Sequence, residues 1–276
     1  MGSYIPNTWD ERLEMLGSIG LNSVDELYDL VPKEVRINEL DLPDGLSEME
    51  VSRKVKAAAG KNTVYSSVFR GAGSYCHYIP SIVKTIPSKE EFVTAYTPYQ
   101  AEISQGVLQS IFEYQTQICE LTGMDVSNAS VYDGGTAAAE AVLMNVDGRR
   151  KLGAVISGAV NPDVLTVVKT YCESRNVPVT VVPVKDGATD TEALKSAIQK
   201  DTACVYVQSP NYFGVIEDMD EIVKISHEAG TKVAMGVNPI SLGLLKTPAE
   251  YGADIACGEG QPLGIPMGFG GPYLGF

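Results

Sequence analysis

A glycine turn that runs straight into a strong helix former can seat an anion. This chain carries one at Asp133-Gly134-Gly135-Thr136, followed by the alanine-rich stretch Ala137 to Met144. Alanine-rich sequence favours helix. The free N–H groups at a helix start point outward along a dipole worth about half an elementary charge, so a phosphate or carboxylate finds partial positive charge there. Two readings fit these four residues. In one they form a phosphate seat, the glycines allowing close approach and Thr136 adding a hydroxyl; in the other they form a plain turn whose glycines supply positive φ. The spacing matches neither the P-loop nor the GxGxxG pattern.

Other residues with chemical potential are sparse. The five cysteines (Cys76, Cys119, Cys172, Cys204 and Cys257) are scattered and never spaced as CxxC, which fits reduced thiols in a cytoplasmic protein rather than a disulfide framework. His77 and His227 are the only imidazoles, too few for a His-rich metal site, and no metal is expected. Cys76 and His77 are adjacent, but sequence neighbours rarely aim at one centre. Two tyrosine-rich, period-free segments, Phe69 to Pro80 and Glu91 to Gln100, read either as a binding surface or as a subunit contact, because tyrosine hydroxyls want partners that ordinary core packing does not supply. The balance of 35 acidic to 21 basic residues, a net charge of −14, argues against nucleic acid or an anionic membrane as partner. No apolar run is long enough to span a bilayer, and no signal-peptide pattern opens the chain.

The elements that must position these residues follow from the pattern. Thr8-Trp-Asp-Glu11, Ser23-Val-Asp-Glu26 and Ser47-Glu-Met-Glu50 match the capping box and predict three short helices, with Leu13, Leu16, Leu27 and Leu30 on their buried faces. Ile103, Val107, Ile111, Ile118 and Leu121 recur at helical spacing up to Gly123 and predict a long core helix. Beyond residue 150, strands at 154–157, 178–182, 203–207 and 232–236 alternate with helices at 162–175, 190–199 and 219–229. This predicts an α/β domain with a mostly parallel sheet covered on both faces. Ligands of such sheets lie at the carboxyl ends of the strands. The loops Gln208 to Gly214 and Gly236 to Pro239 are therefore expected on the same rim as the Asp133–Thr136 turn.

Several longer motifs are more specific. Tyr4-Ile-Pro-Asn-Thr8, Gly71-Ala-Gly-Ser-Tyr-Cys-His-Tyr-Ile-Pro80, Thr94-Ala-Tyr-Thr-Pro-Tyr-Gln-Ala-Glu-Ile-Ser-Gln-Gly106, Glu120-Leu-Thr-Gly-Met124, Asn128-Ala-Ser130 and Gly258-Glu-Gly-Gln261 together resemble the P-protein family of the glycine cleavage system, on the side of its alpha half, subunit 1 of decarboxylating glycine dehydrogenase. The resemblance implies an aminotransferase-like fold of the pyridoxal-phosphate type I class, with a helical N-terminal arm at 1–60 and a large domain at 61–276. It also implies a smaller C-terminal domain, so the chain is expected to be a fragment.

The chemistry implied by the resemblance meets a departure in the residues. A pyridoxal enzyme needs a lysine for its Schiff base and, usually, a carboxylate facing the pyridine nitrogen. Where the family's catalytic half carries the lysine, this chain has Gln261; the strand that would supply the carboxylate reads Val233-Ala-Met-Gly-Val237. Lys246, the last lysine, lies in Leu244-Leu-Lys-Thr-Pro248, more like a helix end than an active-site turn. The expectation is a chain with no catalytic residue or cofactor of its own, and with a vestigial phosphate turn at Asp133, Gly134, Gly135 and Thr136. Its partner, subunit 2, would hold pyridoxal 5'-phosphate in an α2β2 assembly, decarboxylate glycine and pass the aminomethyl group to the lipoyl arm of H-protein. His77, Tyr78, Tyr96, Tyr99 and Gln100 are the candidate wall of that shared active site. The alternatives are a purely scaffolding subunit and an independent pyridoxal enzyme using Lys246.

Overall fold

The computed structural model describes residues 6–37, 40–67, 69, 76–268 and 273–276. Residues 71–75 of the Gly71–Pro80 motif, Tyr4 and Ile5 of the first motif, and residues 269–272 of the glycine-rich run after Pro266 lie outside them. The chain divides into two compact units, Met1–Val68 and Phe69–Phe276.

The first unit holds α1 (Trp9–Ser18), 3-10 turns at Val24–Tyr28 and Lys33–Val35, and α2 (Glu48–Ala59). Thr8 and Glu11, and Ser47 and Glu50, form the two expected reciprocal caps. The third box does not close. Ser23 makes no side-chain cap; the Glu26 carboxylate instead folds back to accept from Asn22 N–H and the Ser23 hydroxyl, and the segment winds as a 3-10 turn. Of the four leucines expected on buried faces only Leu16 is buried, and Leu30 is 98% exposed. Among the described residues of this unit, elements this short and few enclose no core of their own.

The second unit opens with short helices α3 (Ser81–Thr85) and α4 (Glu90–Val93) and then the long α5 (Ala101–Thr122), closed by Gly123 in the left-handed conformation, φ 75°. The stripe on α5 is core only toward its C-terminal end: Ile118 is buried, Val107, Ile111 and Leu121 are half-buried, and Ile103, beside a break in helical geometry at Ser104, is 81% exposed. The remaining elements alternate: α6 (Gly134–Leu143), β1 (Gly153–Ser157), α7 (Pro162–Ser174), β2 (Val179–Val182), the hairpin strands β3 (Val184–Lys185) and β4 (Ala188–Thr189), α8 (Thr191–Ala197), β5 (Thr202–Gln208), α9 (Met219–Glu228), β6 (Lys232–Val237), α10 (Pro248–Tyr251) and β7 (Ile255–Gly258).

Five strands form one parallel sheet in the order β2-β1-β5-β6-β7. Alternate residues serve two cores. Ala154, Ile156, Cys204, Tyr206, Ala234 and Cys257 pack with the alanines of α6 and with Val168 and Cys172 of α7. Val155, Val205, Val207, Val233 and Met235 pack with Ile118, Leu194, Met219 and Ile222 from α5, α8 and α9. Sheet strands buried on both faces read as continuous apolar runs, as these do. The α/β class with a mostly parallel sheet is therefore as the alternation predicts. The hairpin β3–β4 turns on Asp186-Gly187, both at positive φ, and a buried carboxylate fixes it. Glu217 accepts from Thr189 N–H at 2.9 Å and from Asn211 Nδ2 at 2.7 Å, while Asn211 Nδ2 also donates to Gly187 O.

At the opposite end of the strands, Asp254 ties three elements. It accepts from Val233 N–H (2.9 Å), pairs with Lys232 (2.5 Å) and meets His227 Nε2 (2.9 Å). Burial pushes its carboxyl up, but Lys232, the Val233 N–H and His227 outweigh this and hold it below the usual carboxylate range. Among the described residues, no helix is long and apolar enough to cross a membrane.

Two measurements check this layout. Chemical denaturation should show Ile156→Ala losing roughly 2–5 kcal/mol, against less than about 0.5 kcal/mol for Ile103→Ala. A depressed folded-state pKa stabilises the fold above the unfolded value and is lost as pH falls through the folded one. Asp254→Asn should therefore cost up to about 1 kcal/mol at pH 7, after allowance for solvent screening. That deficit should shrink toward zero as pH drops below about 3.9.

Candidate functional site

Two helix starts and three strand ends converge at the carboxyl edge of the sheet. Gly134 begins α6, Asn161 caps α7, and Gln208, Gly236, Val237, Asn238, Gly258 and Glu259 end or follow β5, β6 and β7; all line one cleft. The turn at 133–136 and the loops after β5 and β6 thus share a rim, as strand polarity requires. Gln208 Oε1 accepts from Asn161 N–H at 3.0 Å, and Ser209 N–H donates to Gly236 O at 2.9 Å, so the rim is bonded to itself. The cleft measures about 90 Å³.

Asp133 is the N-cap of α6: its carboxylate accepts from Thr136 N–H at 2.7 Å, and its carbonyl accepts from Ala137 N–H at 2.9 Å. Gly134 N–H is aimed elsewhere, at Glu259 Oε2, 2.9 Å away. Glu259 Oε1 accepts from two further N–H groups, of Gln261 at 2.9 Å and Leu274 at 3.0 Å. Gly134 and Glu259 are so close that a Cβ on residue 134 would sit 3.0 Å from the Glu259 backbone nitrogen. Glu259 was given no role from the sequence alone. The available signal was its place in Gly258-Glu259-Gly260, where flanking glycines leave room for neighbouring backbone to reach a carboxylate.

Gln261 is 1% exposed, and its Nε2 donates to Ile265 O at 2.5 Å. Its Oε1 and the Tyr114 hydroxyl are buried and find no hydrogen-bond partner among the described residues. Burial, and then the charge of Glu259, push the Tyr114 hydroxyl up to about 12. Beneath β6, Tyr206 fills the space under Gly236; a Cβ at residue 236 would run into the Tyr206 hydroxyl. That hydroxyl pairs with the Cys257 thiol, and burial drives its pKa well above the usual range. Burial likewise pushes the Cys204 and Cys257 thiols up to about 12, so neither is a thiolate nucleophile near neutral pH.

The other sequence candidates lie apart from this cleft. Tyr78, Tyr96, Tyr99 and Gln100 are exposed, Tyr96 fully so, while His77 is half-buried; none of the five lines the cleft. Lys246 stands on the surface before α10 with its ammonium 3.1 Å from Asp220. The Asp220 side chain raises its pKa, the opposite of what a Schiff-base lysine requires. Thr247 and Glu250 form a capping box right after it, one not anticipated from the sequence.

Residues 2–276 match the family model for the glycine cleavage system P-protein. The chain is 52% identical over 276 residues to a probable glycine dehydrogenase (decarboxylating) subunit 1 of Carboxydothermus hydrogenoformans, and 51% identical over 275 to the like-named protein of Moorella thermoacetica. In each case the alignment takes in 99% of this chain and 62% of the relative. Among solved structures it superimposes on an inhibitor-bound glycine decarboxylase (P-protein), with a TM-score of 0.91 and 40% identity, covering 99% of this chain and 62% of that one. A cysteine desulfurase of Thermococcus onnurineus shares the fold more distantly, with a TM-score of 0.55 and 16% identity over 75% of this chain and 51% of its own. The chain thus spans about 62% of the length of the curated relatives it matches.

The packing of Tyr206 under Gly236 sets an expectation. Gly236→Ala should cost about 1–3 kcal/mol by overpacking. Part of that cost should vanish in a Tyr206→Phe background, which removes the obstructing hydroxyl. A double-mutant cycle by thermal or chemical denaturation reads the coupling.

Proposed function

The chain belongs to the glycine cleavage system P-protein family, and from that premise we propose that it is the subunit of a glycine decarboxylase that bears no pyridoxal phosphate of its own. Its partner, subunit 2, holds the cofactor, and the two pair as α2β2 in the cytoplasm. The cofactor, in that partner, acts as the electron sink for loss of carbon dioxide from glycine. The aminomethyl group then passes to the lipoyl arm of H-protein. In this reading the first unit is the N-terminal arm and the second is an aminotransferase-like large domain.

The observation that carries the reading is the poor fit of the rim cleft to pyridoxal phosphate. At about 90 Å³ it is well below the ~300–1,000 Å³ of small-molecule sites. The position expected for a Schiff-base lysine holds the amide of Gln261, fully enclosed and bonded to Ile265 O. The space under β6, where a carboxylate would face a pyridine nitrogen, is filled by Tyr206. Lys246 is tied to Asp220 on the surface. No catalytic step is therefore routed through this chain's own cleft.

What the chain offers its partner is a set of exposed aromatic groups: Tyr78, Tyr96 and Tyr99, with His77 and Gln100 beside them in sequence. Rigid, amphipathic tyrosines with accessible hydroxyls suit the wall of an active site shared between subunits, where they can orient a carboxylate and keep water out. The same exposure suits a second reading, in which these rings are interface anchors and the chain is a scaffold alone.

Reconstitution with subunit 2 separates the two. Tyr96→Phe and Tyr99→Phe should lower the rate of glycine decarboxylation about 10-fold or more while the assembled complex keeps its size on gel filtration. Full activity in both variants would remove these residues from the wall. Weakened assembly at unchanged rate per complex would favour the scaffold.

A further inference from the structure

The geometry points to Glu259 as a built-in anion: its carboxylate takes the place at the start of α6 that a phosphate group would need, and so closes this rim to phosphorylated ligands. The inference rests on the reading above, that this chain carries no pyridoxal phosphate, and supplies a cause for it.

Three observations support it. The helix behind the turn is a full ten residues, so its first N–H groups carry a real partial charge. Gly134 N–H, at the head of that helix, donates to Glu259 Oε2, and the other carboxylate oxygen is held by N–H groups from Gln261 and Leu274. One carboxylate thus gathers donors from three separate segments, the arrangement a phosphate receives at a helix start. Adding Asp133, which takes Thr136 N–H, two resident negative groups already face the turn, and a third anion would meet repulsion as well as lack of space.

Removing the carboxylate should open the seat. Glu259→Ala frees three N–H groups and removes a charge. Full-length wild type and variant are titrated with inorganic phosphate by calorimetry, and with pyridoxal phosphate by equilibrium dialysis. Wild type should bind neither, and Glu259→Ala should bind phosphate at least about tenfold more tightly than wild type, as gain of one anion contact at a helix start implies.

A folded Glu259→Ala that binds phosphate no better than wild type, while wild type binds no pyridoxal phosphate, overturns the role of Glu259 alone. Stoichiometric pyridoxal phosphate on wild type overturns the cofactor-free reading, and this inference with it. Should Glu259→Ala not fold, Glu259→Gln keeps the side-chain volume without the charge and should show the same gain in weaker form; no gain overturns the inference.

Discussion

Buried backbone N–H groups must find acceptors, and at the carboxyl edge of this sheet three of them find the same one. Gly134 at the head of α6, Gln261 after β7 and Leu274 near the end of the described chain all donate to the Glu259 carboxylate. Around that group the rest of the rim is organised. Asp133 caps α6, Gly275 bridges to both Val131 and Glu259, and Gly134 lies where a Cβ would crowd the Glu259 backbone. A carboxylate in this place serves two ends at once, since it satisfies donors that would otherwise be orphaned and complements the positive end of the helix.

The same economy recurs at two other places in the second unit. Glu217, buried behind the β3–β4 hairpin, collects Thr189 N–H and Asn211 Nδ2, and its own N–H donates to the Ser209 hydroxyl. Asp254 collects Val233 N–H, Lys232 and His227 where β6 and β7 begin. Acidic residues outnumber basic ones heavily in this chain. Three of them act as internal acceptors that link segments far apart in sequence. Lysine, which cannot accept a hydrogen bond, could not take any of these places.

The apolar surface is distributed unevenly. The sheet and its helices enclose two well-packed cores, whereas Leu13, Leu27, Leu30, Tyr78, Tyr96 and Tyr99 stand exposed. Large exposed rings in the stretch that carries the family's longest motif are what a subunit of a larger enzyme would present to its partner. In the reading proposed above, the chain would contribute to its enzyme through its outer surface rather than through its sheet cleft.

Sequence by itself determined the α/β class, four of the six strands between residues 153 and 237 within a residue or two, the long helix with its Gly123 stop, two of the three capping boxes, and the family. These depend on local pattern: apolar runs, caps and glycine stops act over a few residues, and long motifs carry a family's imprint directly. It also showed that no lysine stands at residue 261. Only the tertiary structure decided what fills the rim. Glu259 is 125 residues from Gly134, and Tyr206 lies on a different strand from Gly236; no periodicity links such pairs. Burial of Leu13, Leu27, Leu30 and Ile103 was likewise misjudged. A helical stripe says which face is apolar, but whether anything covers that face is settled by the packing of elements distant in sequence.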